Sequence, residues 1–331
     1  MRERPMADAR DDYIRPLAGL GGAKPPAPSW FEWAVSQPSE EGSVEVAGAK
    51  IAYSAWGPVG GRGLVFIHGG RAHRNWWRPF APFFAGHFRV VAFDLSGMGD
   101  SDWRPRYSMD CLVDEVFAVI EATELMRGGR PLVVGHSFGG WVTLAAVEKR
   151  GEQLRGAVVI DSPISEPDPD EGYTVNRPMR DAKSADDAKK SVKVYSTIAE
   201  PIERFRFLPN QPCDQLYLVD HLAREGLVEA PLPGGGTGWR WKFDPSHGRN
   251  FEIHFDRDLF LAARCPLAFL YGEESLFARG PGFEHHRGQA QGRSPFILMP
   301  AVHHHLMMEQ PIAFISTMRA LLSSWPVRAG V

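Results

Sequence analysis

The pentapeptide Gly135-His136-Ser137-Phe138-Gly139 follows the apolar run PLVV and precedes a helix-compatible stretch, so Ser137 falls on a turn between a strand and a helix. A hydroxyl at the head of a helix is suited to act as a nucleophile on a carbonyl. The first N–H groups and the helix dipole favour the negative charge that develops there, and the N–H of Phe138 is one such donor. Upstream, LVFIH runs into His68-Gly69-Gly70, whose unhindered backbone is suited to present a second donor, expected to be the N–H of Gly70; a plain strand-end turn is the alternative. Downstream, PAVHHHLMMEQP carries His303, His304 and His305. A serine needs a base within hydrogen-bond reach, and imidazole, with its pKa near neutrality, is the usual one. Three histidines also suggest a metal, but adjacent side chains do not aim at one ion without unusual backbone, so no metal site is expected.

The elements that must position these groups are legible as short β-branched and aliphatic runs beginning near Ser43: VEVAG, KIAYSAWG, LVFIHGG, FRVVAFDLSG, PLVVGHS and GAVVID. LVFIH, RVVAFD and PLVVG are continuously apolar rather than alternating, which suits strands covered on both faces. Helix-compatible stretches, Met109 to Met126 and Gly139 to Arg150, lie between them. This βαβ rhythm predicts an α/β fold with a mostly parallel central sheet flanked by helices. After Asp161 the rhythm stops for about a hundred residues and resumes at CPLAFLYGEES and SPFILMP, followed by a closing helix over Ile312 to Ser324. The expected organisation is an N-terminal arm (1–42), a core in two pieces (43–162 and 262–331) and an inserted, mainly helical cap (163–261). The arm is rich in Gly and Pro between residues 19 and 28 and is expected to be loosely attached, except that Trp30, Phe31 and Trp33 call for burial on the body or on a partner chain. A homodimer contact, if one forms, is expected through the arm or the cap.

A chain of 331 residues accommodates one catalytic core with an insertion. Its 37 basic and 40 acidic residues give a net charge of −3, which argues against a nucleic-acid partner. Three scattered cysteines, Cys111, Cys213 and Cys265, with no CxxC spacing, read as reduced thiols. The N-terminus has charges but no apolar core of a signal peptide, and no run of 18 apolar residues occurs, so no membrane association and a cytoplasmic home are expected.

HGG, FDLSGMGDSD, GHSFGG and HHHLMMEQP occur in the order and spacing of the α/β-hydrolase superfamily, which the chain resembles over residues ~45–162 and ~262–325. The resemblance implies a serine hydrolase, an esterase or lactonase, that needs no cofactor. In that superfamily the catalytic histidine precedes an acidic residue by five positions, with proline two further on; Glu309 and Pro311 therefore select His304. The superfamily's usual acid lies three residues after a glycine beyond the seventh strand, but GEES puts Ser275 there. Some relatives take the acid from the end of strand six, which here is Asp161. Asp161 is the first choice, with Glu274 and then Glu273 as alternative acids; a plain strand-end capping role is the competing account of Asp161. Asp94 and Asp100 are expected to shape their loop.

The expected substrate is a small-molecule ester or lactone of largely apolar or aromatic character. His73 and Trp77, after the HGG loop, and Phe205, Tyr217, Trp239 and Trp241, from the cap, are candidates to line its pocket; packing within the protein is the competing role for each. The chain is similar to capped lactonases in this respect. A carbon-carbon bond hydrolase or cofactor-free perhydrolase would use the same serine and histidine, and a hydrolase-fold receptor would keep the pocket and signal through a partner. Epoxide hydrolases and haloalkane dehalogenases use an aspartate where Ser137 stands.

Overall fold

In the computed structural model, residues 13–163, 192–247 and 263–325 are described throughout, and two short backbone pieces, 173–174 and 254–255, form an antiparallel pair. The remaining parts of the expected arm, cap and C-terminus lie outside the described residues.

The apolar runs become strands β1 (Glu40–Val46), β2 (Ala49–Trp56), β3 (Arg62–Ile67), β4 (Phe88–Phe93), β5 (Leu132–His136) and β6 (Gly156–Ile160). Two later strands, β9 (Leu267–Gly272) and β10 (Phe296–Met299), complete an eight-stranded sheet in the order β1-β2-β4-β3-β5-β6-β9-β10. Only the pairings β1/β2 and β2/β4 are antiparallel; the five from β4 to β10 are parallel. The continuous apolar runs divide their side chains between two cores. Leu64, Phe66, Val90, Ala92, Val134 and Ile160 face one side, and Val65, Ile67, Val91, Phe93, Val133 and Val159 the other. Helices α2 (Met109–Ala122), α3 (Phe138–Arg150) and α6 (Gly280–Ala290) cover the second face, while α7 (Pro311–Ser323) and the Trp76–Phe84 turns cover the first. A strand covered on both faces has no reason to alternate polar with apolar, which is why the runs read as they do.

The arm is more firmly seated than its composition suggests. Helix α1 (Ser29–Ser36) buries Phe31 and Ala34, Leu17 is fully enclosed, and Trp30 meets Phe83 and Tyr217 at ring-centroid distances of 6.1 and 6.0 Å. Phe31 and part of Trp30 are therefore covered by the body of the same chain, whereas Trp33 touches Phe83 edge-on at 4.9 Å and stays 45% exposed. Pairing of β1 begins at Glu40, a few residues before the expected boundary.

Between β6 and β9 the described residues form two short helices, α4 (Ala199–Glu203) and α5 (Leu216–Glu225), and an antiparallel hairpin, β7 (Leu227–Pro231) with β8 (Thr237–Trp241). The hairpin was not expected in a mainly helical insertion. Gly235 and Gly236, with φ of 91° and 87°, turn the chain between its strands, and the glycine run 234–236 was the available signal. The insertion shares a core with the body: Ile202, Phe207, Leu218 and Leu222 pack in one cluster with Trp76, Trp77 and Met308. No helix among the described residues is long and apolar enough to cross a membrane.

Candidate active site

The residues singled out by chemistry gather at the carboxyl ends of the parallel strands, where open α/β sheets form their crevices. Ser137 follows β5 with φ of 54° and ψ of −119°, a conformation that non-glycine residues adopt only where the surroundings impose it. Two glycines make that turn feasible. A Cβ on Gly135 would collide with the Gly139 carbonyl and the Thr143 hydroxyl, and a Cβ on Gly139 would stand 2.5 Å from the His68 carbonyl oxygen. The Ser137 N–H donates to the Ile160 carbonyl at 2.9 Å, which ties the turn to the end of β6.

Of the three consecutive histidines, His304 reaches the serine: the Ser137 hydroxyl donates to His304 Nε2 at 3.0 Å. On the ring's other side, Nδ1–H donates to Asp161 Oδ1 at 2.8 Å. Asp161 ends β6 in a left-handed conformation (φ 45°), which Asp tolerates better than most residues, and its N–H is held by the Leu270 carbonyl at 2.8 Å. Its carboxylate accepts two further bonds, from the Ser275 hydroxyl to Oδ1 at 2.6 Å and from the Gly272 N–H to Oδ2 at 2.7 Å. Asp161, Ser275 and His304 are all buried. Burial pushes the Asp161 carboxyl up to about 7, a rise that the Ser275 and Gly272 donors lessen. Burial likewise pushes His304 down, which keeps the imidazole neutral at physiological pH, the form that accepts a proton.

The other two histidines have different partners. His303 Nδ1 meets Glu309 Oε2 at 3.0 Å and its N–H donates to Glu309 Oε1 at 2.9 Å. Gln211 donates to the same Oε1 at 2.7 Å and accepts the His305 N–H at 2.8 Å, so Glu309 and Gln211 together fix the backbone on either side of His304. His305 Nε2 donates to the Leu208 carbonyl at 3.2 Å. His136, read in the sequence only as a variable position of the serine motif, donates from Nε2 to the His304 carbonyl at 3.0 Å. Nitrogens of His136, His304 and His305 come within 4.8 Å of one another, the one such grouping among the described residues, and all three rings are engaged by protein partners.

The alternative acids do not join this series. Glu274 sends a half-exposed carboxylate to within 3.4 Å of His303 Nε2, and Glu273 accepts from the Ala301 N–H at 3.3 Å. Ser275, noted as a departure from the superfamily pattern, keeps its contact with the acid by donating to it.

The His68-Gly69-Gly70 loop runs beside the serine turn: Cβ atoms added to Gly69 and Gly70 would lie 3.3 Å from Ser137 Cβ and 3.6 Å from Phe138 Cβ. His68 fixes that loop, donating from Nδ1 to the Gly69 carbonyl at 2.8 Å and accepting the Leu95 N–H on Nε2 at 3.1 Å. Asp94 anchors the stretch after it through Arg74, accepting the Arg74 N–H at 2.5 Å and its guanidinium, while Asp100 accepts from the same guanidinium at 2.8 Å. Both aspartates thus shape their loops, as expected.

The proposed pocket residues have different surroundings. Trp77 is core: it is 1% exposed and stacks on Phe66 at 4.7 Å, because the turn that follows HGG folds its aromatics under the sheet. Tyr217 packs on the arm, with its ring 5.0 Å from Phe31, and His73 is buried with Nε2 donating to the Leu222 carbonyl at 3.1 Å. Phe205 and Trp241 lie on an aromatic path leading from the site: His304 to His305, then Phe207, Phe205 and Trp241, with successive centroids 4.6 to 6.1 Å apart. Trp239 lies in β8 and pairs through its backbone with Tyr195. Phe207 and Trp76, whose ring sits 5.3 Å from His305, border the site more closely than the residues singled out from sequence.

The alpha/beta hydrolase family matches residues 64–317, and the chain belongs to it. It is 34% identical over 132 residues to 2-hydroxymuconate semialdehyde hydrolase of Pseudomonas sp. (strain CF600), a stretch covering 38% of this chain and 45% of that protein. It is 30% identical over 110 residues to the lipase LipV of Mycobacterium tuberculosis, covering 33% of this chain and 41% of the lipase. The chain thus spans less than half the length of each of these curated relatives. Among solved structures, E-2-(acetamidomethylene)succinate hydrolase superposes with a TM-score of 0.66 at 18% identity, covering 87% of this chain and all of that one, which speaks to the fold.

Proposed function

We propose that the chain is a serine hydrolase that cleaves a carboxylic ester or lactone through an acyl-serine intermediate. The observation that carries this reading is the unbroken hydrogen-bonded series from Ser137 Oγ through the His304 ring to the buried Asp161 carboxylate. His304 Nε2 takes the hydroxyl proton as Ser137 Oγ forms its bond to the carbonyl carbon. The N–H groups of Gly70 and Phe138 receive the oxyanion, each contributing roughly 2.7–4 kcal/mol in comparable sites. Collapse of the tetrahedral intermediate breaks the ester bond, and the alcohol leaves with the proton held by His304. Water then gives its proton to His304, attacks the acyl-serine, and releases the acid as Ser137 regains its hydrogen. Asp161 holds the ring in the tautomer with hydrogen on Nδ1 and stabilises its charged form.

The aromatic path through Phe207, Phe205 and Trp241 supports an apolar or aromatic body for the substrate. A second reading, hydrolysis of a carbon-carbon bond beside a ketone, is favoured by the similarity to 2-hydroxymuconate semialdehyde hydrolase. Turnover of 4-nitrophenyl esters, aromatic lactones and a vinylogous 1,5-diketone by wild type and Ser137→Ala separates the two. Ester or lactone turnover dependent on Ser137 supports the first reading, and turnover confined to the diketone replaces it with the second.

A further inference from the structure

The loop that leaves β9 holds Asp161 through both of its oxygens. The Gly272 N–H donates to Oδ2 at 2.7 Å, and the Ser275 hydroxyl donates to Oδ1 at 2.6 Å, the oxygen that also accepts from His304 Nδ1 at 2.8 Å. Its surroundings dictate the direction of the Ser275 bond. A hydroxyl has one hydrogen to give, and the Phe277 N–H, 3.1 Å away, can only donate to Ser275 Oγ, so that hydrogen is left for the carboxylate. Ser275 is fully buried, and its own N–H is turned back onto the Gly272 carbonyl at 3.1 Å, which fixes the origin of the side chain. Two residues further on, the Phe277 ring stands edge-on against the His304 ring at 4.8 Å. One hydroxyl thus ties the acid to the segment that packs on the base.

These contacts bear on the charge of the acid. A proton on Oδ1 would meet the Ser275 hydroxyl and the His304 N–H, and one on Oδ2 would meet the Gly272 N–H, donor against donor in each case. Burial acts in the opposite sense and is the larger influence, lifting Asp161 to about 7. The balance stands near neutrality, where loss of a single donor changes how much of the acid is ionised. Among the described residues, the titratable groups that interact with Asp161 are His304, His136 at the end of β5, and Tyr271 in β9. Burial pushes both imidazoles down to about 3 and raises the Tyr271 phenol, which donates to the Ser162 carbonyl at 2.9 Å. None of the three changes charge on its own near pH 7. Glu274, next to Ser275 in the chain, faces His303 instead, at 3.4 Å.

We propose that Ser275 is a positioning residue of the hydrolytic reaction: its hydroxyl keeps the Asp161 carboxylate ionised and aimed at His304 Nδ1, and so sets how far into acid the activity extends. Ionised Asp161 holds hydrogen on His304 Nδ1 and balances the charged ring once the Ser137 proton has moved, whereas a protonated Asp161 offers no charge to balance it. The role is distinct from packing, because alanine or cysteine occupies nearly the same space without a comparable donor. The inference rests on the hydrolase reading for the reaction that reports it.

The test is the pH profile of kcat/KM for wild type, Ser275→Ala, Ser275→Cys and Ser275→Thr on the best ester found for wild type, with thermal unfolding recorded on the same preparations. Loss of one hydrogen bond to a carboxylate is expected to move the acid limb of Ser275→Ala up by about one pH unit. Its kcat/KM then falls about tenfold against wild type at about pH 6 and comes within about threefold of it at about pH 9. Ser275→Cys, close in size but a weak donor, is expected to move the limb the same way, and Ser275→Thr, which keeps the hydroxyl, to restore it. A side chain that only filled space would lower the melting temperature, or the activity at every pH alike, and leave the limb in place. An acid limb at the wild-type position in folded Ser275→Ala and Ser275→Cys overturns the proposal. If wild type turns over no ester, the ester-hydrolase reading fails by itself, and carbon-13 carboxyl NMR, with Asp161→Asn to assign the resonance, decides the role of Ser275 separately. A titration of Asp161 displaced upward by about one pH unit in Ser275→Ala supports it, and an unchanged titration overturns it.

Discussion

Replacing Asp161 by asparagine changes one atom at the centre of the proposed relay. The carboxylate accepts from three donors, His304 Nδ1, Ser275 Oγ and Gly272 N, at 2.6–2.8 Å. An amide offers one oxygen to this set. With that oxygen at the Oδ1 position, the amide NH2 faces the Gly272 N–H, donor against donor in a buried site. With the amide reversed, its NH2 faces His304 Nδ1, which must then accept, so that the ring carries its hydrogen on Nε2 and cannot take the Ser137 proton. The first arrangement leaves a buried donor unsatisfied at about 1–3 kcal/mol, so the second competes with it or dominates. Loss of the correct tautomer in comparable triads lowers kcat by about four orders of magnitude, or roughly 5 kcal/mol of transition-state stabilisation. The assay is kcat/KM on the best ester found for wild type, with thermal unfolding recorded on the same preparations to show that Asp161→Asn is folded. Retention of a tenth or more of the activity by folded Asp161→Asn, together with its loss in Glu274→Gln, refutes the assignment of the acid.

Other outcomes follow from the same geometry. Because burial depresses the His304 pKa and lifts that of Asp161, bonded to the same ring, to about 7, the pair is expected to take up no proton until the pH falls to about 7, so kcat/KM is expected to fall only below about pH 7; a limb centred above pH 8 contradicts this. His136 is pushed down to about 3 by burial and by His304, so unfolded chains bind this proton first as pH falls. Its stabilisation is present above the unfolded pKa near 6.5 and is lost progressively towards pH 3, by about 1.4 kcal/mol at pH 5.5, measurable as a falling denaturation midpoint. Gly135→Ala is expected to yield little folded protein, since its Cβ meets backbone as well as the Thr143 side chain; a melting temperature within two or three degrees of wild type, about 1 kcal/mol or less, contradicts the packing argument. Trp77→Ala removes a stacked core ring and is expected to lower unfolding free energy by about 3–5 kcal/mol in chemical denaturation, against under 1 kcal/mol if the side chain lined an open pocket.

The parallel sheet and the serine turn were legible because they depend on local chemistry: doubly covered strands read as continuous apolar runs, and a strained strand-to-helix turn requires glycines at fixed offsets. Asp161 was legible as the end of a strand, though the contacts that set it apart from Glu274 are long-range, since β6 neighbours β9 and brings Gly272 and Ser275 to its carboxylate. The contact between Ser275 and the acid had no local signal. The same holds for His136, whose bond to the His304 carbonyl spans 168 positions. The pocket residues were the least legible, since a large aromatic reads alike whether it faces a ligand or a core. Trp77 went under the sheet, Tyr217 went to the arm, and only Phe205 and Trp241 lead towards the site. The arm's composition suggested loose attachment, but its aromatics found partners on Phe83 and Tyr217 that no short-range pattern announces.

Ser137 is the proposed nucleophile on which the other roles depend. Incubation with a fluorophosphonate, peptide mass spectrometry, and the same reaction on Ser137→Ala and His304→Ala test it directly. A single phosphonate adduct is expected on Ser137, formed by the native protein and lost or greatly slowed in His304→Ala. An adduct elsewhere, or no adduct on folded wild-type protein, contradicts it.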